Sequence, residues 1–127
     1  TDWVEGGLTV EDNIQVATWL KALGVDLVDC SSGGATPAAR GSINGGIAQQ
    51  VGMAADLRQG SGLMSMAVGE ITQAQQAEGI IASGQADIVL LARAMLHDPY
   101  WPTHAAKELG VEMPQVMPPL HQFFIGR

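Results

Sequence analysis

The stretch Ala86-Asp87-Ile88-Val89-Leu90-Leu91-Ala92-Arg93-Ala94-Met95-Leu96-His97-Asp98-Pro99-Tyr100-Trp101-Pro102 constrains the fold more than any other part of the chain. A short apolar run of strand length ends in a small residue and an arginine, and helix-forming residues follow at once. A buried strand that feeds directly into a helix is the unit of a parallel α/β sheet. The same alternation recurs upstream. Thr9 is placed to cap a helix whose apolar stripe is Val10, Ile14, Ala17, Leu20 and Leu23, with Gly24 as its stop. Val25 to Cys30 reads as a short buried strand, interrupted by Asp26 and Asp29. A small-residue loop, Ser31 to Gly46, then precedes a helix from Gln49 to Arg58 that ends near Gly60.

Leu63 to Val68 is the second predicted strand. Thr72 is the expected N-cap of a helix from Gln73 to Ser83, and Gly84 its stop. Asp87 to Leu91 is the third strand. Asp98-Pro99, a capping residue followed by proline, predicts the start of a last helix that runs to Leu109 before Gly110. Pro114, Pro118 and Pro119 predict an extended tail over 111–127. Short loops and right-handed crossovers make this order a parallel arc with helices on one side. The other side of the arc is an apolar face with nothing in the chain to cover it.

Charge and composition exclude several functions. The net charge of −7 and a pI near 4.6 leave no basic surface for nucleic acid. The six basic residues are scattered: Lys21, Arg40, Arg58, Arg93, Lys107 and Arg127. A mean hydropathy of +0.14 with 46% hydrophobic residues supports a buried core. No apolar run approaches the roughly 20 residues of a membrane-spanning helix, and the first residues do not read as a signal peptide. The single Cys30 excludes an intrachain disulfide and fits a cytoplasmic setting. It reads as a small core residue, since no base is identifiable beside it. His97, His104 and His121 have no spacing that suits a metal. The chain opens on Thr1 without an initiator Met, which reads as a piece of something longer.

Chemistry is expected at the three strand ends, because parallel β/α folds bind ligands at the C-terminal ends of their strands. Asp29-Cys30-Ser31-Ser32-Gly33-Gly34 offers hydroxyls and close backbone approach; it equally fits a plain turn. At Val68-Gly69-Glu70-Ile71-Thr72, Gly69 removes a Cβ where an anion could sit, or simply supplies a positive φ. Arg93, directly after a buried strand, has a fork suited to phosphate, or it pairs with Glu70 or Asp98. Gly69 and Arg93 on consecutive strand ends favour a phosphate cradle over either residue alone.

These segments also resemble a known family. Gly24-Val25-Asp26-Leu27-Val28-Asp29-Cys30-Ser31-Ser32-Gly33 resembles the sixth strand of the bacterial, thermophilic-like Old Yellow Enzymes. Val68-Gly69 with Ile71-Thr72 resembles their seventh strand and turn. Ala86 to Arg93 with His97-Asp98-Pro99-Tyr100-Trp101 resembles the eighth strand and the helix after it. The resemblance runs in order from Thr1 to about Pro114. It implies that residues 1–110 are the C-terminal part, about strands six to eight, of a (β/α)8 TIM barrel that binds FMN. It implies reduction of activated C=C bonds of enones with NAD(P)H. Ser32 and Gly33 would lie on the flavin side, while Gly69, Ala92 and Arg93 would hold the FMN phosphate. Most relatives have Gly where Ala92 stands.

The same resemblance places the family's substrate-anchoring His residues and proton-donating Tyr in the first two-thirds of the barrel. No catalytic residue is therefore assigned in this chain. The rest of the barrel is expected as a companion chain, with the assembly forming a homo-oligomer. In several relatives an arginine near the C-terminus enters the neighbouring subunit's site, which makes Arg127 a candidate for the substrate pocket. Two other readings stay open. One is a different phosphate-binding β/α barrel, such as an aldolase or isomerase. The other is a non-catalytic α/β interaction module that docks through its bare apolar face.

Overall fold

The computed structural model describes residues 1–33, 37, 46–112, 118, 119 and 121. Eight elements lie among them: α1 (Val10–Ala22), β1 (Leu27–Asp29), α2 (Gly46–Ser61), β2 (Met64–Val68), α3 (Ala74–Ala82), β3 (Ile88–Leu90), α4 (Arg93–His97) and α5 (Trp101–Glu108). The strands form one parallel sheet in the order β1-β2-β3. Its register pairs Leu27 with Met64, Asp29 with Met66, Met66 with Ile88 and Val68 with Leu90.

Side chains alternate across a strand, so this register separates two faces. Ser65 and Ala67, both at 0% exposure, point at the helices, as do Val28 and Val89. Much of the core is alanine: Ala17, Ala54, Ala67, Ala77 and Ala86 are buried together with Val51, Leu57, Leu63, Ile71 and Ile80. Small side chains let the helices sit close on the sheet. The opposite face carries Leu27, Met64, Met66, Val68, Ile88 and Leu90 by the same alternation. Met64 and Ile88 are 49% and 42% exposed. Among the described residues, the apolar face read from the sequence is therefore open at Met64 and Ile88.

Thr9 caps α1 as expected and does so in a full capping box. The Asp12 amide donates to Thr9 Oγ1, and the Thr9 amide donates to Asp12 Oδ2. The Thr9 amide and the Thr9 hydroxyl, both donating to Asp12 Oδ2, hold the Asp12 carboxyl below its ordinary range. Thr9→Ala is expected to cost about 1 kcal/mol, read as a lower midpoint in denaturant with an unchanged slope. Leu23 departs from the predicted stripe: it lies past the last helical residue, as the C-cap, and is 82% exposed.

Other boundaries differ from the sequence reading as well, among them the start of α2 at Gly46 and not Gln49. The helix α2 runs through Gly60 to Ser61, because Gly60 serves packing and not termination. A Cβ there would lie 2.7 Å from Ile14 Cγ2 of α1, so glycine lets the two helices close up. The N-cap of α3 is Gln73, not Thr72, whose amide instead donates to Gln76 Oε1. The last helix starts at Trp101, after the separate turn α4. Asp98 does not cap it; its Oδ1 accepts from the Tyr100 amide in the connection.

At the C-terminus, the His121 amide donates to Pro118 O at 2.9 Å, a helical turn inside the stretch expected to be extended. Most of that tail lies outside the described residues, as does most of the Ser31 to Gly46 loop. Among the described residues, no helix is long and apolar enough to cross a membrane.

Candidate functional site

The parallel sheet brings the ends of β1, β2 and β3 to one edge of the arc. Gly69 follows β2 directly and takes φ +114, and Glu70 after it takes φ +52. Two successive residues at positive φ turn the chain sharply out of the sheet, and buried Ile71 anchors the turn. Ala92 and Arg93 follow β3 and open α4. Gly69, Ala92 and Arg93 line one open cleft of about 760 Å³. The cradle residues expected from the sequence are thus brought together.

Trp101 forms part of the cleft wall. Its Nε1 donates to Thr72 O at 3.3 Å, which ties the helix after β3 to the loop after β2. Trp101 also packs against the core.

Arg93 has a side chain that is 83% exposed. Its ionic contact among the described residues is Glu70, Nη2 to Oε1 at 3.8 Å, with Glu70 itself 61% exposed. Such a long, solvated pair is worth little and leaves the fork able to turn to another anion. Asp98 does not compete for it. His104 Nδ1 lies 2.6 Å from Asp98 Oδ2, and that hydrogen bond, with the Tyr100 amide, holds the Asp98 carboxyl below its ordinary range.

Ser32 and Gly33, at the end of β1, do not line this cleft. Ser32 borders a smaller cavity of about 90 Å³ with Cys30 and Asp29. Gly33 has φ +85. Cys30 is buried and unpaired, and burial together with the neighbouring Asp29 pushes its thiol up. It stays protonated near neutrality and packs as a small apolar residue. Arg127 lies outside the described residues.

One contact was not readable from the sequence. Gln50, the fifth residue of α2, donates from Nε2 to Ser32 O at 3.4 Å and to Ser32 Oγ at 3.3 Å. Its Oε1 sits 1.9 Å from where a Cβ on Gly69 would be. No local pattern flags a residue whose partners lie so far along the chain on either side.

A cleft lined by Gly69 and Ala92, with a weakly engaged guanidinium at its edge, fits a phosphate group. At φ +114 an L side chain on Gly69 would be strained, and its Cβ would also have to displace the Gln50 carboxamide.

Comparison with known proteins bears on the family of the chain. The family model of the NADH:flavin oxidoreductase / NADH oxidase family matches residues 1–112. An NADPH dehydrogenase of Listeria monocytogenes is 41% identical over 117 residues, 91% of this chain and 34% of the relative. One from Bacillus licheniformis is 43% identical over 113 residues, covering 89% and 32%. One from Halalkalibacterium halodurans is 42% identical over 109 residues, covering 86% and 31%. The chain spans about a third of the length of these curated relatives. FMN and NAD(P)H are the cofactor pair of this group. With the family model covering nearly all the described sheet and helices, the chain belongs to the NADH:flavin oxidoreductase / NADH oxidase family, the Old Yellow Enzymes.

Proposed function

We propose that this chain forms strands six to eight of a (β/α)8 barrel in an FMN-dependent ene-reductase. The observation that carries the reading is the pairing of Gly69 and Arg93 on adjacent strand ends around one cleft. In closed β/α barrels the last two strands supply the phosphate site at this edge. Gly69, Ala92 and Arg93 would hold the FMN phosphate, with Ser32 and Gly33 on the flavin side. FMN, when bound, supplies the hydride transfer between NAD(P)H and an activated C=C bond.

This chain's own residues bind and orient. Arg93 offers a charged fork that neutralises phosphate, and the Gly69-Glu70 turn lets backbone approach it. Trp101, tied to Thr72, keeps the β2 and β3 ends at a fixed separation. The bare face of Met64, Met66, Ile88 and Leu90 would pack against the remaining strands of the barrel. The rest of that barrel is the proposed partner, and an enone the proposed substrate.

The test is a visible absorption spectrum of the purified native protein, with a mass spectrum of every chain in it. A flavin band and enone-dependent oxidation of NAD(P)H are expected. A colourless protein that takes up no added FMN overturns the reading and leaves an interaction module, which would ignore FMN and phosphate alike.

A further inference from the structure

We propose that Gln50 is a positioning residue that ties the flavin-side loop at Ser32 to the phosphate-side turn at Gly69. The proposal rests on the FMN reading above and adds a residue to it. Asp29 and Met66 are the last register partners of β1 and β2. Ser32 and Gly69 each lie three residues further on, where the two chains have left the ladder.

The geometry places Gln50 there. Its helix follows β1, so the N-terminal part of α2 that carries Gln50 stands near the C-terminal ends of the strands. A carbonyl oxygen can only accept, so the carboxamide nitrogen must face Ser32 O. That choice fixes the orientation of the amide and turns Oε1 toward Gly69. Gly69 is thus constrained twice: its φ of +114 suits glycine, and a Cβ would meet Gln50 Oε1 at 1.9 Å. Gln50 is half-buried, so its two contacts are not those of a freely solvated side chain. Replacing it would let the Ser32 loop and the Gly69 turn drift apart, and a ligand that spans both would lose alignment.

The experiment uses the assembled flavoprotein and its Gln50→Ala, Gly69→Ala and double variants, titrated with FMN after removal of bound flavin. Gln50→Ala is expected to raise the FMN Kd about five- to tenfold, the loss of one or two long hydrogen bonds. Amide hydrogen exchange at Ser32 and Gly33 should quicken in the same variant. Gly69→Ala should cost less in the Gln50→Ala background than in the wild type, because the atom it meets is gone. A residue that served stability alone would give additive costs and unchanged exchange at Ser32. Additive costs with unchanged exchange overturn the positioning role. FMN uptake by the wild type tests the functional reading separately. Without uptake that reading falls; with uptake, and Gln50→Ala behaving as wild type, only the positioning role falls.

Discussion

Arg93→Ala is expected to raise the Kd for FMN about ten- to hundredfold, the range for losing hydrogen bonds to a charged group. Riboflavin, which has no phosphate, should bind the variant nearly as well as it binds the wild type. The contrast follows from position. Arg93 is 83% exposed on its side chain, and its ionic contact among the described residues is a long one, to Glu70 at 3.8 Å. Its removal therefore takes little from the fold, and the melting temperature should stay close to that of the wild type. Arg93→Lys keeps the charge and loses the planar fork, so it should fall between the two. The binding loss should shrink as salt is added, because the group is solvated. Equal losses for FMN and riboflavin would mean that Arg93 acts through the fold and not on phosphate.

That prediction depends on a residue visible in the sequence, and the reason it was visible is local. An arginine at the end of an apolar run is placed by the strand itself, and Gly69 by the strand before it. The same holds for the Thr9 cap, whose partner Asp12 is three residues away, and for Gly24, Gly84 and Gly110. These three glycines take φ +89, +72 and +72 after their helices. Where the structure departs from these local expectations, competing contacts, some near in the chain and some far, take the groups concerned. Thr72 looks like a cap, but its carbonyl is taken by Trp101 and its amide by Gln76. Asp98 looks like a cap, but its carboxylate serves the Tyr100 amide and His104. Gly60 looks like a stop, but its missing side chain makes room for Ile14 from another helix. Gln50 is a further case, since both of its partners belong to strand ends outside its own helix.

Asp87→Ala is expected to destabilise the fold while leaving the FMN Kd of the folded fraction nearly unchanged. Asp87 stands just before β3, at the edge of the sheet opposite the cleft. Its Oδ2 accepts Arg58 Nε at 2.8 Å and the Ser65 amide at 3.0 Å, and its Oδ1 accepts Arg58 Nη2 at 3.1 Å. The Asp87 amide returns a bond to Ser65 O at 2.9 Å, and Arg58 Nη1 reaches Gly84 O at 3.3 Å. One carboxylate thus joins α2, β2 and the start of β3. Ser65 has no exposure, so losing the acceptor strands a buried amide, at about 1–3 kcal/mol. Asp87→Asn keeps an oxygen for that amide and should cost less.

The pH dependence has a definite sign. Arg58 and the Ser65 amide hold the Asp87 carboxyl below its ordinary range. Its contribution is therefore present above the unfolded-state value, about 3.9, and is lost as pH falls through the lower folded value. Arg58 is 39% exposed, so salt screens part of the pair. Urea melts of wild type and Asp87→Asn at pH 7 and pH 3 measure this: the gap between them should narrow in acid. A gap that is the same at both pH values would show that charge plays no part in the clamp. The contrast with Arg93 then separates the two edges of the sheet, one holding the fold together and the other holding the ligand.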